Sequence, residues 1–436
     1  MKKTILTMGL AAALCGTSCS DVIDLNPGDR FSPATVWSST TTVDSYVLGL
    51  YSIFSSSCEF YGTGSPNLTD AYSDILKSGS WDQYNHSYNR SLFQESAFNS
   101  TSAGAFECWS THYERIRREN EFLRDAPKYR EKFGEKWMDT RIAEVRFCRA
   151  YAYYLLCRVY GGVILRTEVD GPEQNDKARS TEADCWDFII EELKDLAPQL
   201  PQGNKTENGD NWDDANYGRA TQQAAYGLLS RVALFAERWD VAAQAARDVE
   251  KCGGALDLTG YANVFNGDLK SNKEILFGVD FEQDVITHRY DAYVRPSGDA
   301  KALGTSALYS VFFPTSELAD SYEMADGTPF SWETHGSDPY TGREPRFYAT
   351  ILYNGASWMG RESYVGGADG FKEYENSKSA NTTVTGYYLR KYLKDGDKSW
   401  ITAYSAQTCI LIRYAEVLLN KAEALAELSW DQNSVE

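Results

Sequence analysis

Histidine is scarce and scattered. The 436-residue chain has four, His86, His112, His288 and His335. None stands in the HxH or HxxxH spacing that brings two imidazoles to one metal. Its nine cysteines form no CxxC pair, and seven remain, an odd number, once Cys15 and Cys19 are set aside with a leader. Zinc and a dense disulfide framework are therefore not expected, and the thiols read as small buried hydrophobes. No GxSxG, HExxH or GxxxxGK[ST] occurs, which removes the usual signatures of serine hydrolases, zinc proteases and P-loop enzymes. Basic residues are outnumbered, 43 Lys and Arg against 62 Asp and Glu, for a net charge of −19. Such a surface repels phosphate backbones and anionic headgroups, so nucleic acid is not an expected partner. No apolar run in the body reaches the roughly 18 residues that a membrane-spanning helix needs.

What is present is core and tyrosine. Hydrophobic residues make up 42% of the chain, enough for a packed interior, and aromatics reach 14%, led by 29 Tyr. Tyrosine in loops often marks a contact surface. Residues 1–19 read as a secretory leader, with Lys2-Lys3 before a short apolar stretch and Gly16-Thr17-Ser18 ahead of Cys19. That end resembles a lipoprotein processing box, with Cys19 as the lipidated residue. Residues 20–39 form a polar tether.

Helical periodicity then recurs over 43–54, 105–126, 137–160, 181–196, 219–238, 240–251 and 409–428. The longest of these carries the clearest pattern. Ile142, Val145, Cys148, Ala152, Leu155, Leu156 and Val159 form one apolar face, and Gly161-Gly162 ends it. Thr181 and Asp184 form a capping box. Ala224, Leu228, Val232 and Phe235 are expected to face Ala242, Ala245, Ala246 and Val249 in a helical hairpin. Its small residues resemble one tetratricopeptide repeat. Leu411, Ala415, Leu418, Ala422 and Leu425 are the expected apolar face of the last helix. From Gly253 to about 405 the texture changes to short apolar pieces among Gly, Asn and Asp.

These segments, in this order, resemble the SusD/RagB family of outer-membrane lipoproteins. The likeness rests on Ala143, Glu144, Arg146, Phe147, Arg149, Ala150, Tyr153, Leu156, Tyr160 and Gly161. It rests also on Trp109, Tyr113, Ile116 and Asn120, on the stretch from Asp338 to Arg346, and on IRYAEVLLNKAEA from Ile412. Ile164 and Glu344 depart from the family's usual Pro and Asp. The resemblance implies a mainly α fold of tetratricopeptide-like hairpins with a large irregular part carrying short strands. It implies one domain over 40–436, its helical part at 40–252 and 406–428 and its ligand-binding part at 253–405. It further implies capture of a nutrient oligosaccharide, or of peptides as in RagB. The ligand would pass to a SusC-like TonB-dependent transporter seated on the helices. The family continues beyond the last helix, so the chain reads as a fragment or as a short member.

Candidate ligand contacts follow from sugar chemistry. A pyranose has apolar C–H faces that flat aromatics cover and hydroxyls that Asn, Asp or Arg meet. The polar loop over 55–102 supplies Tyr61, Trp81, Tyr84 and Asn85. The irregular part supplies Tyr290, Tyr293, Arg295, Trp332 and Trp358. Each has local packing as its competing role. A glycosidase would need a specific carboxylate pair, and no two of the 62 acidic residues stand out, so catalysis is not expected. No cofactor is expected either. Asn208 to Asp214 offers oxygens that could hold calcium, but it lacks the glutamate and spacing of an EF-hand loop.

Overall fold

A computed structural model describes residues 33–60, 68–78, 98–99, 102–103, 106–169, 171, 176–203, 212–213, 216–257, 260–266, 272–303, 308–365, 383–398 and 404–429. The fold is mainly α. The principal helices are α1 (Thr40–Leu50), α2 (Trp109–Asp125), α3 (Glu135–Tyr160), α4 (Glu182–Leu196), α5 (Gln222–Phe235), α6 (Trp239–Lys251), the short α7 (Tyr290–Val294) and α8 (Tyr414–Leu428). Strands are short and paired in twos. Those that matter are β1 (Leu76–Ser78), β2 (Ile275–Val279), β3 (Phe312–Pro314), β4 (Ile351–Leu352), β5 (Tyr388–Leu389) and β6 (Cys409–Arg413). The antiparallel pairs are β1 with β3, β2 with β6, and β4 with β5. No helix among the described residues is long and apolar enough to cross a membrane.

The helices stack in sequence, α2 on α3, α3 on α4, α4 on α5, α5 on α6, and α6 on α8. Side chains start them. Thr181 accepts from the Asp184 amide, Thr221 from Ala224, and Ser39 makes a reciprocal box with Thr42. Gly161 ends α3 with φ 66°, and Gly162 lies where a Cβ would come within 2.3 Å of the Ser180 carbonyl oxygen. In the α5–α6 hairpin Ala224, Leu228 and Val232 are fully buried with Ala242, Ala246 and Val249. Phe235 is not: it is half exposed and lies over Trp186.

Two expectations for the last helix need correction, and the single apolar face read along α3 understates its burial. From Met138 to Cys157 it is buried nearly all round, as befits the central member of a stack. Its charged residues survive there because each meets an opposite charge. Arg146 and Arg149 both reach Glu192, at 2.8 and 2.6 Å. The last helix starts at Tyr414 and not at Cys409, because Cys409–Arg413 is a strand paired with residues more than a hundred positions earlier, Cys409 opposite Val279 and Arg413 opposite Ile275. Local periodicity cannot report such a partner. The buried stripe of α8 is consequently Tyr414, Val417, Asn420 and Ala424, with Leu418 and Leu425 at its margin and Leu411 on β6.

Two main cores result. The larger is helical and takes in Leu276, Phe277 and Ile412 from the β2–β6 pair. The second gathers Phe60, Leu68, Leu76, Tyr290, Tyr293, Phe312, Phe313, Trp358 and Tyr388. The roots of the early polar loop thus enter the same core as the irregular second half.

Candidate functional site

The second core fixes a surface on its outer side. His288 and Ser405 exchange backbone hydrogen bonds of 2.9 Å in both directions as an isolated antiparallel bridge. The His288 ring is fully buried, its Nε2 3.0 Å from the Gln407 carbonyl oxygen and its Nδ1 accepting from the Tyr290 amide. In an antiparallel pair the next residues outward, Arg289 and Tyr404, oppose each other. The Arg289 guanidinium lies 4.6 Å from the Tyr404 ring centroid, and Nη2 donates to Tyr404 Oη at 2.7 Å. Tyr404 is 40% exposed and takes φ 62°. That left-handed conformation costs an L-residue roughly 1–2 kcal/mol. Strain of this kind concentrates where function holds a side chain in place.

Tyrosines extend the surface. Tyr309, half-buried, stacks on Tyr293 at 4.6 Å and 22°, and both lie in the electrostatic neighbourhood of Arg289. The hairpin Glu282–Ile286 exposes Val285 and Ile286 beside it, with Gln283 Nε2 donating to the Tyr404 carbonyl at 3.4 Å. Strand β1, which precedes Trp81 and Tyr84 in the sequence, pairs with β3, whose chain comes directly from Tyr309. An aromatic platform with apolar margins and a cation can cover a sugar face and meet its oxygens.

The residues named from sequence divide three ways. Tyr61, Trp81, Tyr84, Asn85, Cys19 and most of the Asn208 to Asp214 stretch lie outside the described residues. Tyr290, Tyr293, Arg295 and Trp358 are interior, which corrects their assignment as ligand contacts. Tyr290 packs on Phe60 at 4.4 Å. Arg295 is fully buried, with Nε donating to Asp291 Oδ1 at 2.7 Å. Trp358 is fully buried, with Nε1 donating to Asp299 Oδ2 at 2.9 Å. The guanidinium of Arg295 sits 5.3 Å from the Trp358 ring, so the structure does bring these two together, as core. Trp332 alone is exposed, at 50%. It belongs to a separate small aromatic group, against Phe330 and Asp320. Arg289, Tyr309 and Tyr404 were missed. Tyr404 had one signal, an aromatic set among small and polar residues just before a strand.

A second feature is a cavity of about 250 Å³ between the end of α3, the start of α2 and residues 56–59. Glu59 accepts from the Thr69 amide at 3.0 Å, and burial raises its pKa. Burial, reinforced by Arg115 and Arg158, lowers the His112 pKa to about 4, so the imidazole is neutral at physiological pH. The seven described cysteines are free thiols, six of them buried. No cluster of metal-ligating side chains occurs among the described residues.

A stack of helices carrying an irregular, loop-rich face with an aromatic platform defines a ligand-binding scaffold. The comparisons give the family. The family described as starch-binding and associating with the outer membrane matches residues 23–234, and the SusD family matches 273–436. A SusD-like protein of Bacteroides ovatus is 25% identical over 417 residues, 89% of this chain and 70% of that one. A crystal structure of a SusD-like protein from Bacteroides fragilis superposes with a TM-score of 0.75 at 28% identity, over 93% of this chain and 78% of that one. A SusD-like carbohydrate binding protein from the same species superposes with a TM-score of 0.73 at 25% identity, over 90% and 75% of the two chains. The chain belongs to the SusD family of carbohydrate-binding proteins.

Proposed function

We propose that the protein captures a nutrient oligosaccharide at the outer surface of the outer membrane, tethered through acyl chains on Cys19 and the linker 20–39, and passes it to a SusC-like TonB-dependent transporter. The transporter would rest on the helical side, leaving the irregular part of 253–405 free for ligand. No bond is made or broken in this scheme. The observation that carries the reading is the Tyr404–Arg289 pair beside the half-buried Tyr309, which rests on the interior Tyr293; Trp81, Tyr84 and Asn85 are proposed as contacts alongside it. Tyr61 and Trp332 are further contacts in this proposal. Family membership supports it, as does the carbohydrate binding of the Bacteroides fragilis relative.

The test is titration of residues 20–436 against neutral and acidic polysaccharides and a set of peptides. Glycan binding is expected, weakened at least tenfold by Tyr404→Ala. Binding of peptides with no affinity for any glycan would replace the sugar reading with a RagB-like one. Release of shortened sugars from the best ligand would overturn the non-catalytic scheme.

A further inference from the structure

We propose that the Arg289 surface selects acidic glycans, with the guanidinium pairing to a carboxylate or sulfate group of the bound sugar. This inference rests on the glycan-capture reading and specifies its ligand.

Most enclosed arginines among the described residues meet a carboxylate, and Arg343 meets backbone carbonyl oxygens of Pro339, Ala319 and Tyr322 in its place. Arg141 pairs with Asp44, Arg149 with Glu192, Arg219 with Glu144, Arg231 with Glu416, Arg295 with Asp291, and Arg361 with Asp299. Carboxylates are abundant in a chain of net charge −19, yet Arg289 has no carboxylate partner among the described residues. Its neighbours are instead the hydroxyl and ring of Tyr404, with Tyr309 and Tyr293 beyond. The Tyr404 hydrogen bond holds the guanidinium firmly protonated. Its Nε is enclosed without a hydrogen-bond partner, whereas Nη1 neither donates a bond nor is enclosed. The result is a fixed, uncompensated cation with a donor edge open beside an exposed tyrosine.

A neutral sugar needs no such charge, since uncharged amides and hydroxyls serve its oxygens. The planar fork of an arginine matches the paired oxygens of a carboxylate or sulfate, and such charge-assisted bonds are about twice as strong as neutral ones. The acidic surface elsewhere opposes an anionic ligand only weakly, because charges beyond about 8 Å are screened at physiological salt. The contact pair therefore decides the outcome.

The experiment measures binding of residues 20–436 to polygalacturonate, alginate, hyaluronan and chondroitin sulfate. Each is matched with a counterpart of the same backbone whose carboxylates are esterified or reduced, or whose sulfates are removed. At least one acidic polymer is expected to bind tenfold or more tighter than its neutralised form. Arg289→Gln should erase that preference at unchanged melting temperature, and added salt should weaken the acidic ligand alone. Whether esterification or desulfation abolishes the preference tells which anion is read. Neutral glycans bound as well as their acidic forms, or a preference that survives Arg289→Gln, would refute acid selection and leave glycan capture standing. Absence of binding to every glycan, neutral or acidic, would remove both.

Discussion

Arg219 grips Glu144 along both carboxylate oxygens, Nε to Oε1 at 2.7 Å and Nη2 to Oε2 at 2.8 Å, and both side chains are almost wholly enclosed. Tyr51 donates to the same Oε1 at 2.7 Å and accepts from the Ala220 amide, while Asp44 lies 3.1 Å from Arg219 Nη2. The group ties α1, α3 and the turn before α5 to one another. Removing one partner strands a charge that burial penalises. Arg219→Met should cost about 3–5 kcal/mol in urea unfolding. Arg219→Met with Glu144→Met should recover much of that, because the stranded charge goes too. A single variant as stable as the parent would show that the carboxylate finds other compensation.

Glu144 also shows what sequence can and cannot convey. Its place in the A-E-x-R-F-x-R-A pattern marked the family, and helix spacing fixed α3 to within two residues at its start. Nothing local says that its partner is Arg219, 75 positions on. The same limit misassigned the site. Tyr290, Tyr293 and Arg295 read as exposed because they stand among polar residues, but Phe60, Tyr309 and the Lys394 carbonyl enclose them from elsewhere in the chain. Arg289 and Tyr404 became visible only when the His288–Ser405 bridge set them side by side. Helices announce themselves in one stretch of chain. A surface assembled from loops is a property of their pairing.

That distinction is measurable. Trp358 is fully buried and hydrogen-bonded to Asp299, so Trp358→Ala should destabilise the fold by about 3–5 kcal/mol. Tyr404 is 40% exposed, and Tyr404→Ala should change stability by no more than about 0.5 kcal/mol. Glycan affinity should fall for the second at temperatures where both are folded. If Trp358→Ala melts like the parent and loses only binding, the tryptophan is a ligand contact after all.

Two buried groups give the stability a defined pH dependence. Burial raises the Glu119 pKa to about 8, and both its oxygens are enclosed without a hydrogen-bond partner. From its ordinary value near 4.5 up to about 8 the folded chain keeps a proton that the unfolded chain releases, so stability falls with rising pH. His112 acts oppositely. Its pKa is lowered to about 4, so stability falls as pH drops from 6.5 toward 4. The slopes, each up to about 1.4 kcal/mol per pH unit, oppose each other where the windows overlap. They leave a net decline above about 6.5 from Glu119 alone. Glu119→Gln should remove that decline, raising the melting temperature at pH 8 by several degrees and much less at pH 5. A parallel shift at both pH values would show that Glu119 does not titrate in this range.

Two tightly packed glycines should fail in different ways. In α5, a Cβ on Gly227 would stand 2.7 Å from Ile412 Cγ2 and 3.4 Å from Leu276 Cδ1, where β6 and β2 lie on the helix. Alanine is favoured over glycine inside a helix by about 1 kcal/mol, whereas overpacking costs about 1–3 kcal/mol. The clash should win, by a small margin, because its partner is a side chain that can shift. At Gly162 the obstacle is backbone: the Ser180 oxygen at 2.3 Å and the Glu182 amide nitrogen at 2.9 Å. Neither can yield without moving the start of α4 away from the end of α3. Gly162→Ala should therefore destabilise more than Gly227→Ala. Ile412→Ala should relieve the clash at Gly227 and not the one at Gly162. In a double-mutant cycle Gly227→Ala should cost less, or even stabilise, in the Ile412→Ala background, because its methyl fills space that the isoleucine vacated. Strictly additive losses at Gly227 and Ile412 would mean that α5 and β6 are not in contact at that point.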